Sequence, residues 1–114
     1  MEIARFVNAP AYTLPNHDDV TARRLQGGEA TTADFALVGY SEFPSGAIVP
    51  MEAAPIGKIY VVAHGTISIE QADGIRHDLR QWDSVFVPAG EARAVLNNST
   101  EPAAMIVITP SPRT

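Results

Sequence analysis

GAIVPMEAAPIGKIYVVAHG, residues 46–65, opens and closes on glycine, with Pro50 and Pro55 ahead of an apolar run at 56–63 that ends in His64-Gly65. Sixteen residues on, at 82–97, stands WDSVFVPAGEARAVLN, in which the turn Pro88-Ala89-Gly90 separates two short apolar runs, 84–87 and 93–96. Short runs punctuated by Gly and Pro are the pattern of an all-β chain, and the rest agrees with it. Residues 66–70 and 75–79 flank Asp73-Gly74, a strong hairpin signal. Residues 35–43 and 103–109 read as strands, and 3–7 and 20–25 as weaker edge strands. The proline-rich end at 110–114 should close the sheet, because proline cannot donate to a ladder. Helical periodicity is absent, and no repeat or linker interrupts the chain. Eight to ten short strands in 114 residues predict one sandwich or barrel domain spanning 1–114.

The spacing of the two stretches resembles the paired motifs of the cupin superfamily, G-x5-H-x-H-x3,4-E-x6-G and G-x5-P-x-G-x2-H-x3-N. Gly46 and Gly65 anchor the first. Pro88, Gly90 and Asn97 match the second. The positions that carry metal ligands in the family do not match: the two His and the Glu of the first motif fall on Glu52, Ala54 and Lys58, and the His of the second falls on Arg93. The leading glycine of the second motif is Trp82, where a left-handed turn is sterically costly, so a rebuilt loop capped by Asp83 is expected. The resemblance covers about 35–110, with 1–34 as an N-terminal arm. It implies a jelly-roll β-barrel and a homodimer, with outward Ile59 and Val61 as interface candidates.

Alternation along such strands turns Glu52, Ala54, Lys58, Tyr60, Val62, Arg93 and Val95 into the barrel. Two cations at former ligand positions oppose a divalent metal, and Glu52 alone is not a site; no metal and no other cofactor is expected. Lys58 is the only lysine in the chain. Its ammonium can stand in for the metal's charge and hold a carboxylate or enolate oxygen, or its amine can act as a base or form a Schiff base once desolvated. It can equally be a plug paired with Glu52. Arg93 can grip a carboxylate through parallel hydrogen bonds, or serve a structural ion pair. Tyr60 is a candidate acid or substrate donor, or a core tyrosine with its hydroxyl satisfied. His77, between Ile75 and Leu79, is expected to face inward as an acid or base, or as a satisfied core residue. His17, beside Asn16, Asp18 and Asp19, reads as an exposed loop residue, and His64 as a surface one. The polar stretch 9–27 is expected to wrap the barrel, close its mouth or cross to a second subunit.

A net charge of −5, with only Arg23-Arg24 adjacent among the basic residues, argues against a nucleic-acid partner. Zero Cys removes disulfides and thiolate chemistry. The N-terminal residues lack the features of a signal peptide, and no apolar run nears the roughly 18 residues that span a bilayer; a cytoplasmic, bacterial setting is expected. Three functions remain. One is a metal-independent enzyme of isomerase, cyclase or lyase type acting on a small anionic metabolite. Lys58 and Arg93 would hold charge, Glu52 would move a proton, and Tyr60 or His77 would act as acid; metal-free isomerases exist in the superfamily. Another is a non-catalytic module that binds or senses a carboxylate-bearing metabolite. The last is a metalloenzyme with a non-standard shell.

Overall fold

The computed structural model describes residues 1–112, and almost all of its regular structure is antiparallel strand. The strands are β1 (Ala11–Tyr12), β2 (Thr21–Gln26), β3 (Ala36–Phe43), β4 (Ile48–Ala53), β5 (Lys58–His64), β6 (Ile67–Gln71), β7 (Arg76–Leu79), β8 (Ser84–Val87), β9 (Ala92–Leu96) and β10 (Ala103–Pro110). Their pairing is nested. β6 pairs with β7 across the Asp73-Gly74 turn, then β5 with β8, β4 with β9 and β3 with β10. The chain is a long antiparallel ribbon closed at one hairpin and rolled on itself, which is a jelly roll. The hairpin is held by Gln71 N–H to Ile75 O at 2.8 Å, and by the Asp73 carboxylate accepting from Ile75 N–H at 3.0 Å, the local bond that makes Asp a turn former.

Rolling yields two facing sheets, β1-β2-β3-β10-β5-β8 and β4-β9-β6-β7. Phe43, Val49, Tyr60, Val62, Ile67, Ile69, Val95 and Met105 fill the space between them. Each buried aliphatic or aromatic side chain here contributes roughly 1.5–3 kcal/mol before the entropy of ordering is set against it. Gly65 closes the crossover from β5 to β6. Its φ is +71°, and a Cβ there would lie 2.8 Å from the Pro102 carbonyl oxygen, so the first motif ends on glycine for both backbone and packing reasons.

Four sequence expectations need correction. Residues 3–7 form no edge strand. β1 already occupies the sheet edge beside β2, and Phe6–Asn8 makes a 3-10 turn instead. Phe6 then packs edge-on to Tyr40, ring centroids 5.0 Å apart, under the Arg23 guanidinium. β4 was not foreseen as a strand, because Pro50 interrupts its pattern. The register slips between Val49 and Glu52, a bulge that accommodates the missing N–H. The slip also resets parity: Val49 opposes Val95 and Glu52 opposes Arg93, so both pairs face the barrel. The third is His77, which lies exposed on the edge strand β7 rather than inside the barrel. The fourth is the loop at Trp82, which is not rebuilt. Trp82 keeps φ at +72°, pinned by its N–H to Val62 O at 2.7 Å, while the Asp83 carboxylate accepts from Arg80 N–H at 2.9 Å as expected. β10 ends the sheet at Pro110; the rest of the tail expectation, at Arg113 and Thr114, lies outside the described residues.

The Trp82 turn carries a prediction. A left-handed conformation costs a non-glycine residue about 1–2 kcal/mol, and the Trp82 side chain is 65% exposed, so little packing offsets it. Glycine returns part of that gain through its freer unfolded chain. Trp82→Gly should raise stability by about 0.5–1 kcal/mol, seen as a higher urea midpoint at unchanged slope. A lower midpoint would mean that the indole packs usefully.

Candidate functional site

Lys58 and Tyr60 on β5 and Arg93 on β9 come from facing sheets into one small cavity. β5 alternates as its sequence demands, with Tyr60 and Val62 buried and Ile59 exposed. Phe43, Val49, Val95 and Met105 form the apolar floor. Tyr12, Leu14 and His17, from β1 and the connection to β2, close the top. Tyr12 enters because Gly39 lies beneath it: any Cβ at that position would collide with the Tyr12 hydroxyl. The Arg24 guanidinium stacks 4.0 Å over the Tyr12 ring and holds it there. The enclosed space is about 30 Å³, room for about two water molecules.

Arg93 is 4% exposed. Its Nε donates to the Tyr60 hydroxyl oxygen at 2.8 Å, and Nη1 lies 3.5 Å from the Glu52 carbonyl and 4.0 Å from the Glu52 carboxylate. That ion pair is long, and the Glu52 side chain is 39% exposed, so it neutralises Arg93 only weakly. Nη2 has no protein acceptor among the described residues. No fully buried side-chain nitrogen or oxygen among them lacks a partner, so this end of the guanidinium fork meets solvent-accessible space. Tyr60 is 3% exposed. Burial raises its pKa, against the opposing pull of the Arg93 charge and hydrogen bond. Its oxygen accepts from Arg93, which leaves its own proton free to be donated.

Lys58 is half-buried. Burial lowers its pKa, the Arg93 charge lowers it further, and Glu52 opposes both. Among the described residues no carboxylate lies within ion-pair distance of it, so the expected Lys58–Glu52 plug does not form. Lys58 lines both this cavity and an outer groove formed with Phe35, Ile59, Phe86 and Ile108. The outward Ile59 is part of that exposed apolar row, and Val61 is half-buried.

His77 is not in the site. Its cross-strand partner is Ile69, so it shares that inward-facing side, but β7 is the edge strand. The opposite sheet does not cover it, and it is exposed, bonding Gln71 at 2.8 Å. His64 is on the surface as expected, across Ala104 from Glu42. The residue the sequence missed is His17. It is half-buried and lines the cavity with Lys58, Tyr60 and Arg93. Its Nδ1 lies 2.6 Å from the Pro15 carbonyl. A carbonyl only accepts, so Nδ1 carries a proton, and in the neutral form of the ring the lone pair is at Nε2. The available signal was Tyr12, Leu14 and Val20, apolar residues in a polar segment that must dock on something.

The superfamily's usual metal does not fit this donor set. One carboxylate at the rim faces two cations, and among the described residues no three His, Cys, Asp or Glu side chains are placed to hold a metal ion. No helix among the described residues is long and apolar enough to cross a membrane.

Comparison with known proteins agrees with this architecture. The family model described as "Cupin domain" matches residues 39–109. The β-D-galactosidase Rv1717 of Mycobacterium tuberculosis is 34% identical over 111 residues, 96% of this chain and 92% of the relative. Among solved structures, the polyketide cyclase RemF from Streptomyces resistomycificus superposes with a TM-score of 0.85 at 18% identity, over 96% of this chain and 79% of that one. An RmlC-like cupin from Shewanella frigidimarina gives 0.78 at 15% identity, over 99% and 93%. At these identities the two structures speak to the fold.

Proposed function

Because the chain belongs to the cupin family, we propose that it works from the barrel without a metal, binding a small anionic, oxygenated metabolite and moving a proton on it, as an isomerase, cyclase or lyase does. The observation that carries this reading is the pairing of two cations, Lys58 and Arg93, around one cavity with a single carboxylate 4.0 Å from the guanidinium. A ligand carboxylate restores charge balance and meets the unpaired Arg93 fork. Lys58 and the Tyr60 hydroxyl then stabilise charge developing on a ligand oxygen, and Glu52 or His17 takes the proton. The cavity of about 30 Å³ is too small for a metabolite as it stands, so the 13–20 connection must open to admit the ligand and close again to bring His17 to it.

Ligand-observed NMR with a panel of small carboxylates and their amide analogues, on chelator-treated protein, tests the reading. The carboxylates should bind, more weakly as salt is raised, and the amides should not. Equal binding of both, or binding only after metal is restored, would overturn it.

A second reading follows from the relative named as a β-D-galactosidase. Most glycoside hydrolases use two carboxylates flanking the bond. Here no Asp or Glu lines the cavity, and only Glu52 stands at its rim. We therefore expect no release of nitrophenol from o-nitrophenyl β-D-galactoside above the buffer rate. Release that disappears in Glu52→Gln would put glycoside hydrolysis in place of the first reading.

A further inference from the structure

We propose that Lys58 forms a covalent imine with the carbonyl carbon of a small 2-oxo acid whose carboxylate is held by Arg93. The inference rests on the anion-binding reading above and adds a substrate class and a covalent step to it.

Three features of the site point this way. Lys58 is the only lysine in the chain, it is half-buried at the start of β5, and it lines the cavity together with Tyr60, Arg93 and His17. It has no carboxylate partner among the described residues. As a structural cation it is poorly placed, half out of water and near a guanidinium; as a nucleophilic amine it is well placed. Burial and the Arg93 charge both favour its neutral form, the form with the lone pair. The second feature is Arg93, whose Nε is taken by Tyr60 while Nη2 remains free to grip a carboxylate. The third is that Lys58 and Arg93 line one small cavity from opposite sheets. A ligand bridging them needs an electrophilic carbon close to its carboxylate, and a 2-oxo acid has the two groups on adjacent carbons.

In the step, the Lys58 lone pair adds to the carbonyl carbon, and the C=O π pair moves to oxygen. The Tyr60 hydroxyl lies beside the site to protonate that oxygen, and His17 Nε2 accepts a proton from the nitrogen. His17 returns its proton to the carbinolamine hydroxyl, which leaves as water as the nitrogen lone pair forms the C=N bond, and the remaining N–H proton restores the Tyr60 hydroxyl. The amine gives up two hydrogens, the carbonyl gives up one oxygen, and no oxidant or reductant is needed.

The absence of other lysines makes the test clean, since the only other primary amine is the chain's α-amino group. Protein incubated with sodium pyruvate and sodium cyanoborohydride should gain one reduced pyruvyl adduct by intact mass, mapped to Lys58. Acetone, which lacks the carboxylate, should label Lys58 at least tenfold less. Lys58→Met should lose the adduct while keeping its melting temperature. Labelling confined to the α-amine, or equal labelling of Lys58 by acetone and pyruvate, would overturn the proposal. Pyruvate that binds by ligand-observed NMR but leaves no adduct at Lys58 would overturn the imine and leave the anion site standing. If pyruvate and the other carboxylates neither bind nor label, both readings fall.

Discussion

Asn97→Ala should lower the unfolding free energy by about 3–5 kcal/mol, a large share of what a domain this size has. Asn97 is 1% exposed, and its amide satisfies four partners. Nδ2 donates to the Phe43 carbonyl at 2.9 Å and the Glu101 carbonyl at 2.8 Å. Oδ1 accepts from Ser99 N–H at 3.1 Å and from Ser99 Oγ at 2.7 Å. The side chain thereby ties the end of β9 to the end of β3 and to the turn that leads into β10. Alanine leaves the buried Phe43 carbonyl and the part-buried Ser99 N–H without these partners, and each buried group left unmade costs about 1–3 kcal/mol. Its methyl group also leaves a void. The melting temperature should fall by roughly 15–25 °C, since a domain of about this length loses some 4–8 °C per kcal/mol. Asn97→Asp should also be costly, because it removes both donors. A loss under about 1 kcal/mol in urea titrations would mean that water replaces the network.

Asn97 also marks how much could be read in advance. Its place in the motif was legible; its role was not, because the partners come from positions 43, 99 and 101 and meet only after the ribbon is rolled. The strands themselves were legible wherever alternation was uninterrupted, as at Ser84–Val87, which was read at its observed bounds. They were hidden where the backbone breaks its period. In β4, Pro50 and the slip between Val49 and Glu52 conceal the strand, although the inward direction of Glu52 was inferred from the motif frame. Alternation also cannot tell an edge strand from a central one. His77 shows this: alternation predicts the side of the strand it occupies, but not that β7 is an edge strand with no cover over it. His17 failed for the opposite reason. Its neighbours Asn16, Asp18 and Asp19 are exposed and polar; the apolar Tyr12, Leu14 and Val20 signal that the segment docks, but not that residue 17 turns toward Lys58 and Arg93. Trp82 shows a local preference overruled: two backbone bonds between the turn and Val62 hold a conformation that indole disfavours.

Arg93→Met should weaken carboxylate binding by about 10- to 100-fold, the equivalent of one charge-assisted hydrogen-bond pair. The guanidinium also sets the protonation of its neighbours, and this separates a charge effect from a packing effect. Its charge lowers the pKa of both Lys58 and Tyr60. In Arg93→Met both pKa values should rise, resolved by NMR of labelled lysine and tyrosine, and the free-amine fraction of Lys58 should fall at every pH below its pKa. The Tyr60 shift has a consequence for stability. Tyr60 holds its proton more tightly folded than unfolded, so its contribution is complete below the ordinary tyrosine value of about 10 and is lost as pH rises through the folded pKa. Removing Arg93 should therefore displace that alkaline loss to higher pH. At neutral pH, deleting a weakly paired buried cation should change stability by less than about 1.5 kcal/mol. Weakened binding with unmoved Lys58 and Tyr60 titrations would assign Arg93 to shape alone, and the pairing of two cations around one cavity would no longer explain the site.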